Sequence, residues 1–225
     1  MQRSETFCVG EYYHIYNRGV DKRIIFNTEQ DKKRFQRCLY FCNGEENVIY
    51  DDVKKQALFR IDKGNDLVSI GAYCLMDNHF HILVRENVEE GISKFMKKLM
   101  TSYSMYFNKL NNRTGCLFEN RFKSKHVDND RYLKYLFAYI HLNPAKLIDK
   151  DWKNNIQNKE KIFQHLNNYK YSSFFDYQDN LRELGVILTK KHFPEYFFSK
   201  KEHQDFILDW LDVRPEEGWG VDKLP

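Results

Sequence analysis

Two histidines separated by one residue are the side chains of this sequence best placed to do chemistry. His79 and His81 begin the segment HFHILVR, whose alternating apolar residues predict a β-strand over residues 79–85. Side chains two residues apart project from the same face of a strand, so both imidazoles would face one point while Phe80 takes the buried face. Imidazoles bind divalent cations, and the pair therefore predicts a metal site with open positions. Two partly exposed histidines without a ligand are the simpler interpretation of so short a motif.

A tyrosine and an asparagine one helical turn apart form the second candidate. Residues 131–142 carry apolar side chains at helical spacing, and Asn143-Pro144 would end the helix. Tyr139 and Asn143 then lie on one side of it, where a phenol could act as a nucleophile and an amide oxygen as a further metal ligand. Since the chain contains 15 tyrosines and Asn before Pro is an ordinary helix stop, these residues alone favour a structural role.

The positive charge of the chain is concentrated in one segment. A net charge of +4 over 225 residues hides an acidic stretch, residues 202–225, with seven acidic and two basic side chains. Residues 94–125 contain eight basic residues and one acidic residue, interleaved with aromatic residues. Such a segment suits a phosphate backbone with stackable bases, although a solvated helix face over core aromatics explains it equally well.

The elements that would position these residues predict an α+β fold. Strands are expected at residues 11–17, 57–61, 67–76, 79–85 and 121–127, and helices at about 28–42, 91–110, 131–142 and 201–211. Asp77-Asn78 makes the histidine strand one arm of an antiparallel hairpin. Together they predict a ferredoxin-like antiparallel sheet with helices on one face, followed by a mostly helical C-terminal extension. We expect residues 1–150 to form the main domain and residues 151–225 to form an extension docked on it.

Composition excludes several classes of protein. With 42% hydrophobic residues, 16% aromatic residues, four prolines and ten glycines, the chain is neither disordered nor collagen-like. Its apolar runs fall short of the roughly 18 residues that a transmembrane helix needs. The first ten residues lack the apolar stretch of a signal peptide, so we expect a cytoplasmic protein without a membrane partner. Five cysteines without a C-x-x-C pair indicate reduced thiols rather than a disulfide framework or a zinc ribbon.

Several segments, in their order along the chain, resemble the HUH single-tyrosine transposase superfamily, and specifically its REP-associated tyrosine transposase branch. The matching segments are YHIYNRGVDKRIIF, LMDNHFHILV, GCLFENRFKSKHVD, YIHLNPAK and YKYSSFFDY, within residues 10–178. The last segment departs from the family, which often has a tryptophan-rich version of it. This departure concerns hairpin recognition more than catalysis.

The resemblance implies that Tyr139 is a nucleophile and that His79, His81 and Asn143 hold Mg²⁺ or Mn²⁺. The implied substrate is single-stranded DNA beside a short hairpin, which the phenol would cut and rejoin through a 5′-phosphotyrosine. Candidate DNA-binding residues are Arg18, Lys94, Lys97, Lys98, Arg121, Lys123 and Lys125, with Tyr103 or Phe118 for base stacking. We expect a monomer, with a homodimer as the alternative, that associates with the bacterial nucleoid when bound to DNA.

Two other hypotheses remain open. A domesticated protein could keep the fold and bind hairpin DNA or RNA without cutting it, although intact His79, His81 and Tyr139 count against decay of the site. A Zn²⁺ hydrolase would need further histidine or carboxylate ligands at defined spacings, and the sequence contains no H-E-x-x-H motif. The sequence does not identify the base that activates Tyr139, since His126 and His141 are candidates by proximity alone and the helical position of His141 directs it away from Tyr139.

Overall fold

A four-stranded antiparallel sheet is the centre of the computed structural model, which describes residues 6–149 and 158–211. The strands are β1 (Tyr12–Arg18), β2 (Val68–Met76), β3 (His79–Glu86) and β4 (Lys123–Val127), in the order β2-β3-β1-β4. The α-helices are α1 (Glu29–Phe41), α2 (Tyr50–Val53), α3 (Gly91–Leu110), α4 (Asp130–Leu142), α5 (Lys159–Asn168) and α6 (Lys200–Leu211). None of these described helices combines the length and apolarity needed to cross a membrane. The predicted domain boundary at residues 150 and 151, and the acidic tail beyond residue 211, lie outside the described residues.

One face of the sheet is apolar and carries the helices α1 and α3. Ile15, Phe80 and Ile82 are fully buried there, in one core cluster with the apolar stripes of both helices. Because alternate residues of a strand point to opposite faces, His79 and His81 lie on the other face. The predicted hairpin of β2 and β3 is present, with Met76 paired to His79 across the turn.

Helix α4 covers the histidine face of the sheet. It begins at Asn129, whose side chain caps the first turn. Leu136 and Ile140 of α4 share a buried cluster with Leu83 of β3 and Cys74 of β2. The predicted α+β fold is thus confirmed, with α1 and α3 together on one face and α4 as an additional helix on the other.

The described part of the C-terminal extension, residues 158–211, is mostly helical, as predicted, and packs against the outer side of α4. Leu166 of α5 and Ile207 of α6 are fully buried with Ala138 and Leu142 of α4. Helix α4 is therefore enclosed between the sheet and the extension. Both sides of α4 are buried in apolar clusters, so its position is set by packing against the sheet and against the extension.

The predicted strand at residues 57–61 is wrong. Leu58–Arg60 forms one turn of 3₁₀ helix, and the Leu58 amide donates to the Glu183 carboxylate at 2.6 Å. Leu58 and Ile61 are nevertheless buried. The apolar pattern thus predicted the burial of these two side chains correctly. The local pattern could not predict the backbone conformation, because the Glu183 carboxylate that binds the Leu58 amide lies 125 residues away in the chain.

Gly71 of β2 lets an aromatic ring of the extension lie directly on the sheet. A Cβ atom at this position would stand 2.6 Å from the Phe193 ring, closer than two carbon atoms can approach. The Gly71 carbonyl also accepts a hydrogen bond from Tyr177 Oη at 2.9 Å. A glycine within a strand commonly marks such a close approach.

We predict that Gly71→Ala destabilises the protein by about 1–3 kcal/mol, because the added methyl group must displace the Phe193 ring or the strand. Urea unfolding followed by circular dichroism measures the loss. Gly185→Ala is the matched control, since the atom nearest to its added Cβ is 3.8 Å away. The control should stay within about 0.5 kcal/mol of the wild type. Equal stability of the two variants would contradict this account of the contact.

Candidate active site

The two histidines of β3 meet the tyrosine helix over the centre of the sheet. The ring centres of His79 and His81 are 5.1 Å apart, and the His81 ring centre is 5.4 Å from that of Tyr139. Asn143 follows Tyr139 by one turn, and all four residues are at most 4% exposed. The structure therefore brings together four predicted site residues from two segments that are about 60 positions apart in the chain.

Asn143 links the two halves of this group. Its Nδ2 donates to the Tyr139 carbonyl at 3.1 Å, which holds the side chain against its own helix. The Asn143 side chain also lies beside the Tyr139 phenol and His79, where it partly offsets the effect of burial on the pKa of each group. An amide between a phenol and an imidazole can offer its oxygen to a ligand bound beside both.

Burial keeps the imidazole and the phenol uncharged. Loss of water contact lowers the pKa of His79 to about 3, and the positive charges of Lys146 and Arg18 add to this effect. Burial likewise raises the pKa of Tyr139 above its ordinary value. A neutral imidazole is the form that binds cations, whereas a neutral phenol must lose its proton when it attacks.

The hydrogen bonds of His79 leave one ring nitrogen directed at the site. Asn78 Nδ2 donates to the Lys22 carbonyl at 3.1 Å, which orients the amide so that Oδ1 lies 2.6 Å from His79 Nδ1. An amide oxygen only accepts, so Nδ1 carries the proton and Nε2 keeps its lone pair. His79 Nε2 is buried and has no hydrogen-bond partner within residues 6–149 and 158–211. An orphaned buried acceptor of this kind fits a ligand atom.

The donor set fits a divalent cation that also binds substrate oxygens. In the described part of the chain, no three His, Cys, Asp or Glu side chains are placed to hold a metal by themselves. Two imidazoles and one amide oxygen would leave positions for phosphate and water, which suits Mg²⁺ or Mn²⁺. A structural or hydrolytic zinc site of the usual kind needs a third such ligand, so the described residues do not support the zinc hydrolase hypothesis.

Basic side chains border the histidine face. The register of β1 and β3 places Arg18 opposite His79, and Arg18 forms an ion pair with Glu119 at 2.8 Å. Lys123 and Lys125 of β4 alternate with residues of the other face and therefore share the face of the histidines. Three of the predicted DNA-binding residues are thus neighbours of the site.

The remaining predicted DNA-binding residues lie elsewhere. Lys94 and Lys97 are exposed on α3, on the opposite side of the sheet from the histidines. Lys98 Nζ donates to the backbone carbonyls of residues 44–46 at 2.6, 3.1 and 2.8 Å, which ties α3 to the loop after α1. Arg121 is exposed two residues before β4. The structure therefore divides the predicted basic segment between two faces.

Tyr103, Phe118 and His126 are wrong candidates because of where they lie, and His141 points away from Tyr139 as its helical position predicts. Tyr103 is fully buried and Phe118 is 4% exposed, so neither can stack on a base. His126 lies on the α1 and α3 side of β4 and contacts Glu11 at 2.9 Å. His141 points away from the phenol into the extension, so neither histidine can take the proton of Tyr139.

His14 and Asn78 also contact the site histidines, but no sequence motif identified either of them as a site residue. His14 Nε2 lies 3.0 Å from His81 Nδ1, and His14 is fully buried. In the sequence, His14 occupies a face of β1 that alternates with the apolar Tyr13 and Ile15. A histidine inside a buried strand pattern is the feature that could have identified it.

A second pair of buried histidines joins the tyrosine helix to α6. His141 Nε2 lies 2.8 Å from Ser173 Oγ, and His203 Nε2 lies 3.1 Å from His141 Nδ1. His203 Nδ1 lies 2.7 Å from the amide nitrogen of Gln178. Burial lowers the pKa of His203 to about 3 and that of His141 well below its ordinary value, with a further contribution from the charge of Lys190.

We predict that this pair makes the protein less stable in acid. The unfolded imidazoles titrate near pH 6.5, whereas the folded ones resist protonation, so stability is full above that pH and falls by about 1.4 kcal/mol per pH unit per group below it. Urea unfolding between about pH 7.5 and pH 5 measures the slope. His203→Gln should remove the contribution of one histidine to this slope. Gln164→Ala, which changes an exposed side chain that does not titrate, should leave the slope unchanged. Identical slopes for both variants would contradict the prediction.

Comparisons with known proteins point to the same region. Residues 10–143 match the family model described as IS200-like transposase, a span that includes all four site residues and more than half of the chain. A search of curated proteins finds no significant match. Among solved structures, a REP-associated tyrosine transposase bound to a REP hairpin matches with 12% identity and a TM-score of 0.49, over 78% of this chain and 84% of that chain.

Proposed function

Because the chain belongs to the IS200-like transposase family, we propose that it is a metal-dependent DNA strand transferase acting through a 5′-phosphotyrosine. The observation that carries this proposal is the convergence of His79, His81, Tyr139 and Asn143 in one buried site within the matched span. The proposed substrate is single-stranded DNA near a hairpin, which the sequence segments similar to the REP-associated branch imply.

Tyr139 is the proposed nucleophile. Its phenolic oxygen forms a bond to the scissile phosphorus while the bond between phosphorus and the 3′ oxygen breaks, and the phenolic proton ends on that 3′ oxygen. The products are a 5′-phosphotyrosine and a free 3′-hydroxyl. Since one phosphodiester replaces another, the step is nearly isoenergetic. A second 3′-hydroxyl can therefore reverse it and rejoin the strand without ATP.

His79 and His81, through Nε2, and Asn143, through its amide oxygen, are the proposed holders of Mg²⁺ or Mn²⁺. When bound, the cation polarises the scissile phosphate and stabilises the leaving oxygen. Burial raises the pKa of Tyr139, so the phenol is protonated in the DNA-free protein. The hydrogen bond from Asn143 acts in the opposite direction, because it lowers the pKa of the phenol and so favours the anion that attacks.

The proposed path of the scissile strand runs along the edge of the site formed by β1 and β4. Arg18, Lys123 and Lys125 lie on the histidine face and would bind its phosphates, with Arg121 extending the row. Lys94 and Lys97 would contact only a distant part of a larger DNA. The engagement of Lys98 with three carbonyls gives it a structural role instead.

We propose that residues 1–150 form the catalytic domain and that residues 151–225 form the docked extension, which influences the choice of DNA. Tyr139 and the histidines of one chain lie together, which supports a monomer whose active site is formed by a single chain. Its DNA substrate would place its action in the cytoplasm, at the bacterial nucleoid.

We predict that the protein forms a covalent adduct with hairpin-flanked single-stranded DNA in the presence of Mn²⁺, and that Tyr139→Phe abolishes the adduct. A denaturing gel separates the adduct from free DNA. Tyr135→Phe is the matched control, since Tyr135 lies one turn earlier on α4 and is 5% exposed. It removes the same hydroxyl group from the same helix and should leave the adduct in place.

An adduct that persists in Tyr139→Phe would contradict the assignment of the nucleophile. If the wild type binds every hairpin tested and cuts none, the hypothesis of a silent DNA- or RNA-binding protein replaces this one. Mixing Tyr139→Phe with His81→Ala tests the assembly. A site built within one chain gives no adduct in the mixture, whereas a restored adduct would show that two chains exchange the tyrosine helix.

We predict that Lys123→Gln with Lys125→Gln weakens binding to a short single strand and reduces the slope of log affinity against log salt by about 1.4, or about 0.7 per lost phosphate contact. Fluorescence anisotropy at several salt concentrations measures both quantities. Lys94→Gln with Lys97→Gln is the matched control, because it removes the same charge from the other side of the sheet. Equal slopes for the two double variants would remove Lys123 and Lys125 from the DNA path.

A further inference from the structure

His14 of β1 contacts His81 but is not one of the four proposed site residues, His79, His81, Tyr139 and Asn143. The planes of the His14 and His81 rings are inclined by 24° with their centres 5.1 Å apart, and the rings meet at their edges, where Nε2 of His14 lies 3.0 Å from Nδ1 of His81. Both residues are fully buried. The register of β1 against β3 holds them side by side, since Tyr16 stands opposite His81 and His14 is the diagonal neighbour.

Only one of the two proton arrangements in this contact lets His81 bind a cation. A hydrogen bond between two imidazoles needs one donor and one acceptor. If His14 donated, a neutral His81 would carry its proton on Nε2, where it would block a cation. If His81 donates from Nδ1, its Nε2 keeps a lone pair and His14 carries its own proton on Nδ1. Lys125, opposite His14 in the register with β4, disfavours a charged His14 that would donate from both nitrogens.

The neighbouring ligand already has the second arrangement. His79 donates from Nδ1 to Asn78 Oδ1 at 2.6 Å, because that oxygen can only accept. The lone pair of His79 Nε2 is therefore directed away from Asn78 and into the buried site. A histidine that binds a cation through Nε2 carries its proton on Nδ1, and at His81 the Nδ1 atom faces Nε2 of His14.

We propose that His14 is a positioning residue that accepts a hydrogen bond from His81 Nδ1 and so holds His81 in the tautomer that presents Nε2 to the divalent cation. This inference rests on the proposed function. Partners of metal-bound histidines are commonly carboxylates or carbonyls, and their loss lowers metal affinity about 10–100-fold. A neutral imidazole orients the ring without adding negative charge, which suits a site that must admit a phosphate.

The tautomer of His81 can be observed directly in the metal-free wild-type protein. Long-range ¹H–¹⁵N NMR spectra distinguish the two nitrogens of each neutral imidazole, and the signals are assigned with His14→Gln and His81→Gln. We expect the proton of His81 on Nδ1 and that of His14 also on Nδ1. A neutral His81 with its proton on Nε2 overturns the inference, and this measurement requires neither metal nor activity.

Mn²⁺ binding, followed by electron paramagnetic resonance, tests the consequence. His14→Phe keeps a ring of similar shape but removes the acceptor, and it should weaken Mn²⁺ binding about 10–100-fold. In His14→Gln the amide oxygen can take the place of Nε2 and should restore most of the affinity. His126→Phe, at a partly exposed histidine on the other face of the neighbouring strand, should bind Mn²⁺ like the wild type. Circular dichroism in EDTA establishes that each variant is folded.

The outcomes separate this inference from the proposed function. If His81→Ala abolishes Mn²⁺ binding while His14→Phe binds as tightly as the wild type, the role of His14 is wrong and the metal site stands. If His81→Ala binds Mn²⁺ like the wild type, His81 does not hold the metal. Both the proposed metal site and the proposed role of His14 are then contradicted. If His14→Phe does not fold, the NMR measurement on the wild type decides.

Discussion

The packing of α4 across the histidine face of the sheet is the interaction on which the site depends. Leu136 and Ile140 lie in the same buried cluster as Leu83, and this contact fixes the helix so that Tyr139 stands 5.4 Å from His81, measured between ring centres. The extension packs against the other side of the helix through a buried apolar cluster and through the buried histidines His141 and His203. A helix held on two sides cannot rotate its tyrosine away without opening one of these contacts. The geometry of the site is thus a consequence of core packing.

The same packing determines the electrostatics. Removing water from His79 and Tyr139 favours the neutral form of both side chains. Neutral imidazoles are ready to bind a cation, and the chain of contacts through Asn78 and His14 sets which nitrogen each ring presents. Positive charge stays at the rim, where Arg18 and the lysines of β4 face solvent and a polyanion can approach. A dry, neutral interior with a basic border is suited to a reaction that moves one phosphodiester between oxygens.

Much of this arrangement follows from local patterns. Helix α3, helix α4 and the hairpin of β2 and β3 each have strong periodicity and clear end signals, so their predicted bounds agree with the structure to within one or two residues. The histidine pair, Tyr139 and Asn143 were candidates by residue type and spacing, but it was the resemblance of the surrounding segments to a known family that selected them over a structural role. The placement of α4 on the second face of the sheet was not predicted, because periodicity shows that a helix has an apolar side but not which surface covers it. For the same reason the aromatic residues Tyr103 and Phe118 were assigned to DNA although they belong to the core. The contact between His14 and His81 joins residues 67 positions apart and depends on strand register.

The central claim is that Tyr139 becomes covalently attached to the 5′ phosphate of a cut strand. Mass spectrometry of the trapped adduct, after nuclease and protease digestion, tests it most directly. We predict a nucleotide-modified peptide that contains Tyr139, together with a cut strand that ends in a 3′-hydroxyl. Attachment to another residue, or cleavage that leaves a free 5′ phosphate with no modified peptide at any time, would contradict it.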